Sequence, residues 1–117
     1  MTPEIEVLDS TLVARLQGEL DMKVTDSMRS ALDQALDTSG AKHLLFDLRQ
    51  VSFIDSSGLG VILGRYRRIV DKGGRLGFVN VEPPVRRVLE LSGVLRISTE
   101  FQDEHQAVAE LARGGLA

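Results

Sequence analysis

Asp55, Ser56, Ser57 and Gly58 place a carboxylate, two hydroxyls and a bare backbone at four consecutive positions. Three kinds of chemistry could use such a run. A serine could act as a nucleophile, given a base and a group to orient that base. The carboxylate could join others around a metal ion. Alternatively, hydroxyls at the positive end of a helix could carry or meet a phosphate. The first option lacks its partners. The elbow pattern G-x-S-x-G is absent, because Ile54 stands two before Ser56 and Asp55 two before Ser57. His43 and His105 are the two histidines. His43 opens a predicted strand, at the end opposite the serines. His105 falls in the first turn of the last predicted helix. Both read as rim or surface positions, so no catalytic residue is assigned. For a metal, Asp21 and Asp55 could meet, but two acids make a weak donor set, and none is expected. Gly58-Leu59-Gly60 with Gly64-Arg65 has neither the spacing nor the lysine of a P-loop, so no nucleotide cofactor is expected either.

The third option depends on what surrounds the run. Before it, Leu44-Leu45-Phe46 and Leu48 read as a strand buried on both faces. After it, Leu59, Ile62, Leu63, Tyr66, Ile69 and Val70 recur at helical spacing. The serines therefore sit where a strand becomes a helix. Asp and Ser both suit the capping position, because their oxygens accept from the free N–H groups of the first turn.

The remaining elements follow in order. Ile5 and Val7, then Leu12, Val13 and Leu16, form a hairpin around Asp9-Ser10-Thr11. After Gly18-Glu19-Leu20-Asp21, a helix runs from a Thr25 cap through Met28, Leu32 and Leu36 to Gly40. Gly73-Gly74 ends the helix after the serines, and Arg75 to Val81 is a strand. Pro83 and Pro84 begin a third helix, which stops at Gly93. Val94, Leu95 and Ile97 are expected to form the last strand. Asp103 caps a final helix with Ala107, Val108 and Leu111 inward, and Gly114-Gly115 should fray. The alternation predicts a single domain over residues 1–117, a mixed, mostly parallel sheet of about five strands with about four helices. Sites in such sheets lie at the carboxyl ends of the strands, which should bring Asp21 and Ser56 to one rim.

Composition narrows the partners. With 117 residues, 43% hydrophobic and 26% charged, the chain suits one globular core. Its net charge of −3 and 4% aromatic content argue against nucleic acid or an anionic membrane as partner. No apolar run is long enough for a membrane span, and the acidic N-terminus carries no signal-peptide pattern. With no cysteine, disulfides and thiolate sites are excluded, and the expected location is cytoplasmic. Arg65, Arg67, Arg68, Arg86 and Arg87 are interspersed with Asp71, Glu82 and Glu90 and read as solvated helix faces.

Capping accounts for one serine and the acid. It leaves Leu59 beside Gly58 and Gly60, an apolar knob among small residues, which suits a docking face. Gly60 and Gly64 lie inside the predicted helix, where each costs roughly 1 kcal/mol relative to Ala, so close packing is expected of them. For Gly64 that packing is expected against the sheet, and for Gly58 an approaching protein is as good an explanation. A phosphate at the centre of this face would add about −1.5 to −2 charges, which the helix end tolerates and Asp21 and Asp55 oppose. Physical argument alone leaves Ser56 and Ser57 equivalent as acceptors.

The run FIDSSGLGVILGRY, Phe53 to Tyr66, resembles the core motif of anti-sigma factor antagonists with the STAS fold. Gly18-Glu19-Leu20-Asp21 matches that family's G-E-L-D element, and Gly73-Gly74, Arg86-Arg87-Val88-Leu89 and Leu91-Ser92-Gly93-Val94 fit its later elements. The resemblance covers nearly the whole chain and implies a STAS-type sheet. It also implies partner switching. The unphosphorylated antagonist binds an anti-sigma factor that is a serine kinase, thereby freeing a sigma factor, sigma F of sporulation being the expected one. Phosphorylation releases the antagonist, and a PP2C-type phosphatase resets it. The acceptor implied is Ser56, the serine directly after the aspartate, with Leu20, Asp21, Asp55, Ser57, Gly58 and Leu59 forming the docking face and the free protein a monomer. Two departures from the family pattern are the paired Pro83-Pro84 and Lys23, the latter bearing on partner choice. The rival expectation is a small anion- or nucleotide-binding protein or enzyme using the same helix terminus.

Overall fold

Period-two alternation in the central strands decides the layers of this protein. In the computed structural model, which describes residues 3–113, Leu12, Ala14 and Leu16 share a sheet face with Leu44, Phe46, Leu48 and Phe78. Val13, Leu45 and Val79 point the other way. The elements run β1 (Glu4–Leu8), β2 (Thr11–Leu20), α1 (Thr25–Ser39), β3 (His43–Ile54), α2 (Ser56–Asp71), β4 (Leu76–Val79), α3 (Pro83–Ser92), β5 (Thr99–Glu100) and α4 (Glu104–Ala112). The sheet order is β1-β2-β3-β4-β5, with β1 antiparallel to β2 and the other pairs parallel. This is the mixed five-strand, four-helix arrangement expected from the alternation. α1, α2 and α3 cover one face, where Phe46 and Phe78 stack at 5.7 Å. α4 covers the other with Ala107, Val108 and Leu111. Gly114 and Gly115 lie outside the described residues.

Most helix boundaries follow local chemistry. Gly40 and Gly93 adopt left-handed conformations, with φ of 65° and 85°, that end α1 and α3. Pro83 and Pro84 occupy the first turn of α3, where a missing N–H costs nothing. Asp103 caps α4 by accepting from the Gln106 N–H at 2.7 Å.

Several expectations are corrected. Thr25 is not the cap of α1. Val24 holds that place, and Thr25 is a buried helical residue whose hydroxyl donates to the Met22 carbonyl oxygen at 3.4 Å. Val94, Leu95 and Ile97 form no strand. The left-handed Gly93 turns the chain straight into a 3-10 turn over Val94–Arg96, and β5 comes later. Val94 and Leu95 are apolar because they close the core, and not because they alternate along a sheet. On α2 the inward residues are Gly58, Val61, Ile62 and Ile69, while Leu63 and Val70 face outward. Nothing lies within 4 Å of where a Cβ would stand at Gly60 or Gly64, so Gly64 does not pack on the sheet. The arginines also differ from free solvated faces. Arg65 and Arg68 reach Asp33 of α1 at 3.1 and 2.8 Å, Arg68 also pairs with Asp37, and Arg86 pairs with Glu100.

Candidate functional site

The carboxyl ends of β2 and β3 build the site. These strands are parallel, and their last residues, Leu20 and Ile54, are paired. The Asp55 N–H also donates to the Leu20 carbonyl oxygen at 3.3 Å. Neighbouring strands run about 4.8 Å apart, so Asp21 and Asp55 leave the sheet side by side at one rim. Each acid then holds its own turn. The Asp21 side chain accepts from the Lys23 N–H at 3.0 Å, and its carbonyl accepts from the Val24 N–H at 3.1 Å. Asp55 has extended backbone (φ −112°, ψ −172°) and caps α2, its Oδ1 accepting from the Ser57 N–H at 2.8 Å and the Gly58 N–H at 3.1 Å.

Capping therefore belongs to the acid. Ser56 is the first helical residue, exposed, and its hydroxyl has no intramolecular partner among the described residues. Ser57 is half-buried. The two residues that flank α2's entry are not surface groups as expected. Leu20 is fully buried, and Gly58 is buried against it. A Cβ at Gly58 would lie 2.5 Å from the Leu20 carbonyl oxygen and 2.9 Å from the Ile54 side chain. Gly58 is glycine because α2 meets β2 there. Leu20 and Gly58 thus form the floor beneath the rim. Leu59 is half-buried and packs against the core, not an exposed knob.

The exposed apolar residues at this rim are others. Met22, just after Asp21, is 74% exposed, and Phe53, next to the end of β3, is 47% exposed. Sequence reasoning missed both as surface groups. Phe53 carried a usable signal: Val51 and Ile54 are both inward, and three residues apart they cannot lie on one face of an unbroken pleat. The strand is irregular here, with register shifts against β2 between Arg15 and Gln17 and between Gly18 and Glu19.

A second polar cluster, on the α4 face, was not anticipated. Arg15 of β2 donates to Glu104 through Nε and a terminal nitrogen, both at 2.8 Å, and also to Glu4 and Glu6. Asp47 of β3 is buried beside Glu104, and its Oδ1 accepts from the Arg49 N–H at 3.0 Å and the Asn80 side chain at 3.1 Å. The Arg15 hydrogen bond is the main cause that holds the Glu104 carboxyl down to about 2. Burial, then the hydrogen bond with Glu104, pushes the Asp47 carboxyl up. His43 is a buried residue, not the rim or surface position expected from the sequence; its Nδ1 accepts from the Arg75 N–H at 3.0 Å, and burial followed by the charges of Lys42 and Arg75 pushes its pKa down. Among the described residues no group of three or more His, Cys, Asp or Glu could hold a metal ion, and no helix is long and apolar enough to cross a membrane.

Residues 2–107 match the profile of the STAS domain family. The anti-sigma F factor antagonist of Paenibacillus polymyxa is 42% identical over 108 residues, which is 92% of each chain. Among solved structures, the anti-sigma factor antagonist SpoIIAA in its unphosphorylated form superposes with a TM-score of 0.73 at 27% identity, covering 97% of this chain and 99% of that one. The Bacillus cell fate determinant SpoIIAA in the phosphorylated form superposes with the same TM-score, 0.73, at 30% identity, covering 93% and 98%.

Proposed function

Because this chain belongs to the STAS domain family, we propose that it is an anti-sigma factor antagonist whose binding is switched at Ser56. Its unphosphorylated rim binds an anti-sigma factor that is also a serine kinase, and binding frees the sigma factor. Phosphorylation of Ser56 by that kinase releases the antagonist, and a PP2C-type phosphatase restores it. The relative named for sigma F supports sigma F of sporulation as the factor controlled. The protein acts as a binding module and not as an enzyme.

One observation carries the choice of acceptor. Ser56 alone in the run combines an exposed position with a hydroxyl that no neighbour uses, while Asp55 does the capping and Ser57 is half-buried. A phosphate there adds about −1.5 to −2 charges beside two carboxylates. A partner face that tolerated Asp21 and Asp55 would be repelled, and about 1.4 kcal/mol suffices for tenfold weaker binding. Met22 and Phe53 supply the apolar contact that charge then spoils. The rival use of the same terminus for a free anion is disfavoured, since the Ser57 and Gly58 N–H groups already belong to Asp55.

The test is incubation with ATP and the kinase-type anti-sigma factor, phosphosite mapping, and a binding assay. Ser56→Ala is expected to bind without being phosphorylated. Ser56→Asp is expected to bind at least about tenfold more weakly with the fold intact. Wild-type affinity in Ser56→Asp, or a phosphate mapped to Ser57, would overturn the switch as drawn.

A further inference from the structure

The amino ends of the strands, opposite Ser56, hold a cavity of about 350 Å³ between α2, the Gly73-Gly74 turn and the segment leading into β5. Tyr66 and Val70 of α2 wall one side, Ile97 and Ser98 the other, and Arg75 and Arg96 stand at its edge. Tyr66 lies ten residues along α2 from Ser56, about 15 Å of helix.

Three features distinguish this cavity from the rest of the surface. The first is charge. Arg75 and Arg96 are among its lining residues, and among the described residues no Asp or Glu is. Elsewhere the partly buried arginines have acids: Arg15 with Glu104, Arg65 and Arg68 with Asp33, Arg86 with Glu100. Arg75 spends one terminal nitrogen on the Thr99 hydroxyl at 2.9 Å, and neither Arg75 nor Arg96 has an acid partner among the described residues. The second is apolar wall. Val70 and Ile97 are each more than 40% exposed here, so apolar surface faces the same space as the charges. The third is rigidity. Arg75 is held by Thr99. The Arg96 N–H donates to the Gly93 carbonyl oxygen at 3.0 Å, and its guanidinium lies over Gly93, within 3.5 Å of where a Cβ would stand. A guanidinium held in advance, as that of Arg75 is by Thr99, loses less freedom when it clamps an anion.

We propose that this cavity binds a small organic anion: an oxyanion group held by Arg75 and Arg96, attached to an apolar body lying between Val70, Tyr66 and Ile97. A phosphate monoester or a carboxylate would share this recognition. The forked, planar guanidinium matches either oxyanion, and the half-buried apolar wall selects against a bare inorganic ion. The site is separate from the Ser56 rim and does not depend on the switch there.

The test is titration of the ¹⁵N-labelled protein with phenyl phosphate, with benzoate, inorganic phosphate and phenol run in parallel. Phenyl phosphate or benzoate is expected to shift the amides of Gly74, Arg75, Ser98 and Thr99 saturably, leaving those of Asp55 to Leu59 unmoved. Which of the two binds more tightly identifies the oxyanion. Arg96→Gln, exposed and not in the core, is expected to weaken binding at least about tenfold, the usual effect of losing a charged hydrogen bond. Ile97→Ser, equally exposed, is expected to weaken the aryl anions and leave inorganic phosphate unchanged. The proposal is overturned if neither aryl anion saturates, if Arg96→Gln binds as well as wild type, or if inorganic phosphate or phenol alone binds as tightly as the aryl anions.

Discussion

Gly58 has room for a hydrogen and nothing more. With the Leu20 carbonyl oxygen 2.5 Å from a prospective Cβ, Gly58→Ala must push α2 off β2 or bend its first turn. Overpacking of this kind typically costs about 1–3 kcal/mol, so a loss of unfolding free energy of that size is expected of Gly58→Ala, measured by urea denaturation followed by circular dichroism. Asp55→Ala leaves the Ser57 and Gly58 N–H groups without their acceptor and should cost about 1 kcal/mol in the same assay. The residue types of the site could be read from the sequence, because caps and glycines have local causes. Their exposure could not. Whether Gly58 meets solvent or Leu20 depends on a strand more than thirty residues away, and nothing near Gly58 in the chain encodes that distance. The same holds for Leu59. Its apolar character suited a surface knob and a core contact equally, and only the seating of α2 decided between them.

At the scale of elements, strong periodicity located the four α-helices, and the failures fell on the turn after α3 and on which face of α2 points inward. Val94-Leu95 reads as a strand by composition, yet Gly93 bends the chain so that both side chains plug the core from a 3-10 turn. On α2, an apolar pattern counted from Leu59 put Leu63 and Val70 inward, whereas seating by Gly58 rotates the helix so that Val61 faces the sheet. That rotation leaves Gly60 and Gly64 over open space. Gly60→Ala and Gly64→Ala should therefore each stabilise the protein by about 1 kcal/mol through helix propensity. Unchanged affinity of either variant for the anti-sigma factor would place its glycine outside the docking face, and weakened affinity despite higher stability would place it inside. α4 is tied by charge as well as packing. Glu104 has a folded-state pKa of about 2, below its ordinary value of 4.5, so its contribution is fully present above 4.5 and is lost as pH falls toward 2. Glu104→Gln should lower the urea midpoint at pH 7, with the gap from wild type closing below pH 4.5. Asp47 has the opposite sign. Its pKa is raised, so its contribution is present below the ordinary value and lost as pH rises through the raised one. Asp47→Asn, which keeps the acceptor oxygen for Asn80 and Arg49, should remove that loss.

For the molecule as a whole, the mixed, mostly parallel character of the sheet followed from alternating strands and helices, because parallel neighbours need crossovers, while the strand order β1-β2-β3-β4-β5 comes from the structure. That topology places the Ser56 rim on β2 and β3, the two strands joined by the most extensive pairing in the sheet. A charge added at the rim therefore meets a scaffold anchored along nine paired residues, from Thr11 with His43 to Leu20 with Ile54. Two local ties add to this: Asp55 retains the cap, and Gly58 keeps α2 against Leu20. Hydrogen exchange can separate a change of surface from a change of fold. In Ser56→Asp, altered protection is expected only in the first turns that start at Asp21 and Asp55, while the amides of Leu44 to Leu48 in β3 keep wild-type protection. A loss of protection in β3 would mean that the switch works by loosening the sheet, and the electrostatic account of release would then fail.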